Sequence, residues 1–160
     1  MKFKAISVGT AVLIVLNSAF AWADPKPQGA KPADPNVIAQ LYGGKTQIWK
    51  GCEGGIYFGS GWQASAWCKK HSDNVAIGTW KVDRKARVCR ELVWYWPKGD
   101  SVDSEPDELG CIEHVVAPDG QIWRKWPDDK EWWRATGDST LVKGDKFKSK
   151  KRKNIRKLGL

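Results

Sequence analysis

Four cysteines and the turn signals between them constrain the fold of this chain more than any other feature. Cys52 and Cys68 lie at equal distances from the centre of the Gly-Ser-Gly sequence at residues 59–61. A three-residue hairpin loop there pairs Phe58 with Trp62 and places the two cysteines opposite each other. The same register collects apolar residues on one face and mostly polar residues on the other, so we predict a cross-strand disulfide, Cys52–Cys68.

The other two cysteines repeat the arrangement across a longer connection. Cys89 and Cys111 are equidistant from Asp100, which lies in a polar segment between two strand-like sequences. We predict a second disulfide, Cys89–Cys111, while four cysteines permit three pairings. On the first of the two strands Arg90 is a charged residue on a mostly apolar face, which is formed by Val88, Leu92, Trp94 and Trp96.

A metal site is the alternative use of these cysteines. His71 follows Cys68 by three residues and His114 follows Cys111 by three, and zinc sites use such short spacings. Side chains three residues apart on a strand point to opposite faces, and an export route is oxidising. The sequence therefore favours two disulfides over a metal site, and it indicates no cofactor.

The first residues predict export. Two lysines precede an apolar run over residues 6–16, and Ala21-Trp22-Ala23 supplies small residues where a signal peptidase reads them. The run is shorter than the roughly 20 residues of a membrane span, and no second candidate span follows. We predict a signal peptide over residues 1–23, cleavage after Ala23, no transmembrane segment and a periplasmic or secreted protein.

The remaining chain divides into three segments by composition. Residues 24–36 contain four of the prolines and no large apolar side chain, and they predict a linker. Residues 37–142 form a Trp-rich β domain, and residues 143–160 form a basic tail. We expect one short helix at the start of the domain, capped by Asp34, with Pro35 in its first turn and Gly43 at its end.

Short alternating strands follow that helix. We predict them near residues 46–58, 62–70, 75–83, 86–96, 109–117, 121–127 and 131–142. Consecutive antiparallel strands bury their edges best in a closed barrel. We therefore predict an all-β fold, a small antiparallel meander barrel of lipocalin-like or calycin-like type with one short N-terminal helix. A β-sandwich is the alternative.

Eleven tryptophans are the most unusual part of the composition, and ten of them follow the predicted signal peptide. Most are expected in the core, because each ring buries a large apolar area. Trp67 falls on the polar face of the first hairpin, and the adjacent Trp132 and Trp133 cannot both point inward from a regular strand. We predict these three residues as candidates for binding an apolar or glycan ligand.

The positive charge is concentrated in the tail. Residues 143–160 contain nine basic residues and one acidic residue, whereas residues 24–142 contain 16 and 17. Such a block repels itself, so we predict a mobile tail attracted to an anionic envelope lipid or polysaccharide; nucleic acid is not expected in an exported compartment. A solvated tail that only aids solubility is the alternative. The predicted anion-binding residues are Lys148, Lys150, Lys151, Arg152, Lys153, Arg156 and Lys157.

The sequence contains no recognisable catalytic motif. It lacks a Gly-x-Ser-x-Gly elbow, a phosphate-binding glycine loop and a cofactor fingerprint. The predicted function is a non-enzymatic envelope protein that binds a ligand or partner. One alternative is a polysaccharide hydrolase, which needs two carboxylates facing each other in a Trp-lined cleft. Another is a structural or inhibitor protein that binds a partner protein through an exposed aromatic patch.

Five short motifs, taken in order, resemble those of the exported proteobacterial family known as domain of unknown function 995. They are LYGGKTQIW, GGIYFG, GTWKVD, DGQIWRKW and LVKGD, and they span residues 41–145. The resemblance implies no activity and no functional residues. Gly78-Thr79-Trp80 is also similar to the Gly-x-Trp of lipocalin-type barrels, where it lies on the first strand; here a cysteine hairpin precedes it.

Overall fold

The computed structural model describes residues 25–107 and 110–160, so the predicted signal peptide and its cleavage site lie outside the described residues. In chain order the elements are β1 (Lys31–Pro32), α1 (Pro35–Tyr42), β2 (Lys45–Trp49), β3 (Gly54–Phe58), β4 (Gln63–Trp67), β5 (Val75–Val82), β6 (Val88–Lys98), β7 (Ser101–Pro106), β8 (Glu113–Val116), β9 (Ile122–Lys125), β10 (Trp133–Arg134), β11 (Leu141–Lys143) and α2 (Lys148–Leu158). Single 3₁₀ turns occupy Lys50–Cys52 and Lys69–His71.

The strands form two antiparallel sheets. A large sheet has the order β11-β2-β3-β4-β5-β6-β7, and a small sheet has the order β1-β8-β9-β10. The isolated bridge between Val88 and Ile112 links them. Strands β11 and β7 lie at opposite edges of the large sheet, so the described strands form no closed barrel. The barrel prediction is therefore wrong. The all-β prediction is confirmed, and the two sheets are consistent with the β-sandwich alternative.

The core lies between the inner face of the large sheet, helix α1 and the small sheet. Tyr42 packs edge-on against Phe58 at 5.1 Å between ring centroids, and Phe58 packs in the same way against Trp80 at 5.3 Å. These aromatic side chains belong to one cluster of buried residues that α1, β3, β4, β5 and β6 contribute. The fully buried members include Ile38, Ile56, Ala66, Ala76 and Ala86.

Helix α1 confirms the predicted capping residues. The Asn36 amide donates to Asp34 Oδ1 at 2.7 Å, and Pro35 occupies the first turn. The Gly43 amide donates to the Ala39 carbonyl at 2.8 Å and ends the helix. The helix therefore begins and ends where its local sequence places it.

The first cysteine hairpin has a different register from the predicted one. Phe58 pairs with Ala64 instead of Trp62, because Trp62 belongs to the loop, with φ 67°, and the Gly59 amide donates to the Gln63 carbonyl at the start of β4. Strand β5 holds this longer loop, since Trp80 donates its amide to the Trp62 carbonyl at 2.9 Å and its indole N–H to the Gly59 carbonyl at 2.8 Å.

The shifted register overturns one predicted disulfide. A shift of two residues keeps the apolar face intact but moves Cys52 and Cys68 out of opposition. Cys52 ends a 3₁₀ turn, and both residues are free thiols, with Cys68 Sγ 3.5 Å from the Cys52 carbonyl oxygen. The predicted Cys52–Cys68 bridge is therefore wrong.

The second predicted disulfide, Cys89–Cys111, is confirmed, with a Cα–Cα separation of 4.2 Å. The neighbouring Val88–Ile112 bridge has the register that equal spacing about residue 100 predicts. The connection is not a plain loop, because β7 folds back along β6 before the chain returns to Val88. Since Cys111 is in the disulfide, the Cys111–His114 metal alternative is excluded.

Both predicted irregular ends belong to the fold. Within the predicted linker, Lys31 and Pro32 form β1 and pair with Val116 and Val115. The predicted mobile tail instead contains helix α2, which packs on β4, β5 and β6. No helix among residues 25–107 and 110–160 is long and apolar enough to cross a membrane.

Candidate functional site

Helix α2 is anchored by a lysine buried against the outer face of the large sheet. Lys151 Nζ lies 2.8 Å from Asp145 Oδ1 and 2.7 Å from Ser65 Oγ, and it stands 5.3 Å from the centroid of the Tyr57 ring. Burial lowers the pKa of Lys151, and the hydrogen bond and attraction from Asp145 oppose that shift. The side chain is only 4% exposed, so Lys151 is a structural residue and not one of the accessible anion-binding residues predicted from the sequence.

Two further contacts fix the helix on the sheet. Asn154 Nδ2 donates to the Ser72 and Asn74 carbonyls at 2.9 and 2.8 Å. Trp67 lies against Phe147, with 5.4 Å between ring centroids. Lys151, Asn154 and Leu158 recur at helical spacing and form the buried stripe. The basic segment folds because this stripe has partners on the sheet, which the composition of the tail does not reveal.

The other predicted tail residues are exposed on α2. Lys148, Arg152 and Arg156 recur every four residues and share one side of the helix. With Lys146, Ser149 and Asp145 they line a cleft of about 460 Å³. We call the exposed basic residues of α2 the cationic helix face; they are Lys148, Lys150, Arg152, Lys153, Arg156 and Lys157.

The predicted aromatic candidates are largely covered. Trp67 is 6% exposed, faces α2 and donates its indole N–H to the Ser72 carbonyl at 3.0 Å. Trp132 is also 6% exposed, and Trp133 is half-buried. Among the tryptophans that the structure describes, Trp62 is the most exposed, at 48%; the predicted hairpin register placed it on the apolar face.

A cleft of about 630 Å³ lies at the end of β6, where Trp94 and Trp96 share the inner face of the large sheet. Both rings are half-buried. Trp94 lies opposite Glu105 of β7, and opposed residues of an antiparallel pair project to the same side. The two-residue spacing of these tryptophans was visible in the sequence, but the cleft that they line was not.

Polar side chains surround the two rings. The turn before β5 contributes His71, Asp73 and Asn74, and the end of β7 contributes Glu105 and Asp107. Pro97 and Pro106 complete the lining. We call this site the aromatic cleft. Its combination of indole rings with carboxylate and amide groups offers both a stacking surface and hydrogen-bonding partners.

The inner end of the aromatic cleft is supported by Arg90, the charged residue that interrupted the predicted apolar face. Its side chain is 2% exposed, and its guanidinium lies 5.7 Å from the Trp49 ring centroid and 5.5 Å from that of Trp126. Arg90 Nε is 3.6 Å from Asp107 Oδ2. Burial lowers the pKa of Arg90 and Asp107 opposes the shift, so the pair holds one carboxylate of the cleft in place.

A second buried polar group lies at the opposite end of β6. His114 Nδ1 is 3.1 Å from the Ala86 carbonyl, and His114 Nε2 is 2.9 Å from the Tyr42 hydroxyl. A carbonyl only accepts, so Nδ1 carries the proton and Tyr42 donates to Nε2. Burial lowers the pKa of His114 to about 4, which keeps this imidazole neutral near pH 7.

Arg124 completes the polar contacts between the two sheets. Its Nη1 donates to Gln47 Oε1 at 2.6 Å, and its Nη2 lies 2.5 Å from Asp138 Oδ2. The pKa of Asp138 is lowered by hydrogen bonds and by Arg124, although burial acts in the opposite direction. Because every one of these groups is used in packing the sheets together, we assign them a structural role.

These features define a two-sheet β protein whose large sheet carries a core on one face and a basic helix on the other. The chain belongs to the family described as protein of unknown function (DUF995), whose model matches residues 10–155. The matched range is wider than the motif resemblance and includes most of α2. Comparisons with curated proteins and with solved structures find no match.

Proposed function

We propose that the protein is a non-enzymatic binding protein that takes a carbohydrate in the aromatic cleft. The observation that supports this most directly is the pairing of Trp94 and Trp96 with the polar rim of Asp73, Asn74 and Glu105. The apolar faces of sugar rings stack on indoles, while their hydroxyls exchange hydrogen bonds with carboxylates and amides. A volume of about 630 Å³ is within the range of small-ligand sites.

The proposed location is the periplasm or the exterior of the cell. The Cys89–Cys111 disulfide is typical of proteins that fold in oxidising compartments. The predicted signal peptide supplies the export route. Together they support a role in the cell envelope, where carbohydrate polymers are abundant.

The cationic helix face is a proposed second contact, with anionic envelope lipid or polysaccharide. Six exposed basic side chains lie on one rigid helix, which lowers the ordering cost of binding compared with a mobile tail. Leu158 is buried, so the apolar side of α2 is used by the sheet and not by a lipid bilayer. The expected attraction is therefore electrostatic and sensitive to salt.

The cleft is tested by titrating the protein with chitotetraose and cellotetraose in a calorimeter. We expect saturable binding of at least one of them, and a loss of roughly fivefold to tenfold in affinity for Trp96→Ala. Trp62→Ala is the matched control, because Trp62 is exposed on the β3–β4 loop and lies outside the cleft. Equal losses in both variants, or no binding of either sugar, contradict the proposal.

The helix contact is tested by charge reversal instead of deletion, because removing residues 143–160 uncovers Trp67. The variant combines Lys148→Glu, Arg152→Glu and Arg156→Glu. Its control reverses three exposed lysines elsewhere, namely Lys31, Lys50 and Lys130. We expect the helix variant to lose low-salt binding to phosphatidylglycerol vesicles or to dextran sulfate, and the control to keep it. Equal behaviour of the two variants contradicts a contact through α2.

A polysaccharide hydrolase is the second candidate, because the aromatic cleft contains the exposed carboxylates of Asp73 and Glu105. Glycoside cleavage uses two carboxyl groups, one of which must hold a proton for the leaving group. An exposed carboxylate is poorly suited to that task, so binding without turnover is the first proposal. If the wild type releases shorter sugars and Glu105→Gln does not, the proposed function is polysaccharide hydrolysis and not binding alone.

A further inference from the structure

Another groove lies around the turn between β5 and β6. It has a volume of about 430 Å³ and is lined by basic side chains over an apolar floor. Val115 and Trp132 form part of the floor, each only 6% exposed, with the Lys26 ammonium 5.8 Å from the centroid of the Trp132 ring, and Pro32 closes one side. We call it the basic groove; its charged lining residues are Lys26, Arg84, Lys85, Arg87 and Glu113.

The charge of the groove is unbalanced. Arg87 is neutralised by Asp83, with 2.7 Å between Arg87 Nη2 and Asp83 Oδ2. Lys26, Arg84 and Lys85 form no ion pair with any residue that the structure describes. Glu113 is the one negatively charged residue of the lining. Its carboxylate offsets one of these three positive charges, so the lining carries a net charge of about +2.

The turn that carries two of these cations is rigid. Asp83 Oδ1 accepts the amides of Lys85 and Arg87 at 2.9 Å each, and the Ala86 amide donates to the Asp83 carbonyl at 2.9 Å. Ala86 is fully buried and adopts φ 57°, an unusual conformation for a residue other than glycine.

The hydrogen bond that His114 Nδ1 donates to the Ala86 carbonyl stabilises this strained residue. Both nitrogens of that imidazole are used in packing, so His114 is a positioning residue for the turn and not a contact of a ligand. Arg84 and Lys85 consequently project into solvent from a backbone that is already ordered. Ordered donors lose little conformational entropy when they bind.

We propose that the basic groove binds an anionic sugar, a uronate or a phosphorylated sugar, through Lys26, Arg84 and Lys85. The anionic group meets the uncompensated cations, and the sugar body lies along the apolar floor at Val115 and Trp132. The size of the groove suits one or two sugar units. This site is separate from the aromatic cleft and does not depend on the function proposed for that cleft.

The test titrates the full chain separately with tri-galacturonate, glucose 6-phosphate and the uncharged galactotriose. Binding is followed by NMR through the indole N–H resonance of Trp132, which is assigned by its absence in the Trp132→Phe variant. We expect saturable binding of at least one charged sugar, and the one that binds identifies the anionic group. Galactotriose should bind roughly tenfold more weakly or not at all. Equal binding of galactotriose, or no binding of either charged sugar, overturns the proposal.

Two double variants, each of which removes two positive charges, test whether binding occurs in the groove. Arg84→Gln with Lys85→Gln changes exposed side chains and leaves every backbone hydrogen bond of the turn in place, and it should weaken binding about tenfold. The matched control, Lys50→Gln with Lys130→Gln, removes the same charge from exposed lysines that lie outside both the basic groove and α2, and it should not weaken binding. Equal losses in the two pairs indicate general electrostatic attraction and overturn the site.

Discussion

The β3–β4 hairpin and the β6–β7 hairpin are both flanked by cysteines, yet they are held in different ways. The β3–β4 loop is set by a third strand, because Trp80 of β5 bonds two carbonyls in it. The β6 edge is instead closed by a covalent bond, since Cys111 returns to Cys89 beside the Val88–Ile112 bridge. Equal spacing of cysteines about a turn therefore indicates a disulfide only where no other contact sets the register.

The two regions also differ in what covers them. The outer face of β3 and β4 is covered by α2, with Lys151 at Ser65 and Phe147 at Trp67. The β6–β7 hairpin instead carries the proposed aromatic cleft at one end, and the proposed basic groove lies around the β5–β6 turn that precedes its other end. The first hairpin thus supports the basic helix, whereas the second contributes the two tryptophans of the proposed aromatic cleft.

The largest expected effect comes from removing the disulfide. Replacing Cys89 and Cys111 by alanine should lower the free energy of unfolding by about 3 kcal/mol, because the unfolded chain loses a crosslink over a 22-residue separation. Urea unfolding followed by tryptophan fluorescence measures the change. The paired control, Cys52→Ala with Cys68→Ala, should change stability by about 0.5 kcal/mol or less. Similar losses in both variants would remove the contrast between the hairpins.

Acid should weaken the disulfide-bearing region through His114. Its pKa is about 4 in the fold, with the 6.5 of an ordinary histidine when unfolded, so the unfolded state binds more protons between these values. The contribution of neutral His114 to the free energy of unfolding is therefore fully present above pH 6.5. It is lost as the pH falls towards 4, by about 3 kcal/mol at most. Burial is the main cause, while Arg124 lowers the pKa further and the Ala86 carbonyl opposes both.

Two histidine variants isolate that contribution. His114→Gln should flatten the decline in stability between pH 6.5 and 4, because glutamine does not take up a proton. His71→Gln should leave it unchanged, since His71 is exposed. Thermal unfolding across this pH range is the measurement, and identical pH profiles for wild type and His114→Gln would contradict the assignment.

Removing the buried charge of Lys151 should loosen α2 from the first hairpin. Lys151→Met keeps most of the aliphatic stem but leaves Asp145 and Ser65 without their partner, which should cost about 1–2 kcal/mol. Lys150→Met, one residue earlier and exposed, should lie within about 0.5 kcal/mol of wild type. Hydrogen exchange of the α2 amides distinguishes the two: faster exchange in both variants would show that the helix is not anchored through Lys151.

The smallest effect concerns the reactivity of the free thiols. Burial, with contributions from Cys68, raises the pKa of Cys52 to about 12, so little thiolate is present near pH 8. Iodoacetamide should therefore label the native protein slowly. After unfolding without reductant it should label both Cys52 and Cys68, as intact-mass measurement will show. A mass without any label after unfolding would mean that this pair is oxidised, and would make the two hairpins alike.

Local features were predictable wherever the residues that decide them are neighbours in the chain. Asp34, Pro35 and Gly43 set helix α1, and a tight turn joins the strands predicted near residues 109–117 and 121–127, with the Ala117 amide donating to the Gln121 carbonyl at 2.9 Å. Capping and tight turns depend on hydrogen bonds across a few residues and on backbone preferences. The Cys89–Cys111 pairing was also within reach, because a bridge beside it keeps the predicted register.

By itself the sequence determined the strand-rich character of the chain, its first helix and one of its disulfides. The tertiary structure decided the register of the first hairpin, the folding of the basic tail and the positions of the two proposed sugar sites. In each of these cases the deciding contact joins residues far apart in the chain: Trp80 with Gly59, Lys151 with Ser65, and His114 with Ala86. Periodicity and composition report what one segment prefers, whereas such contacts depend on which surfaces packing brings together.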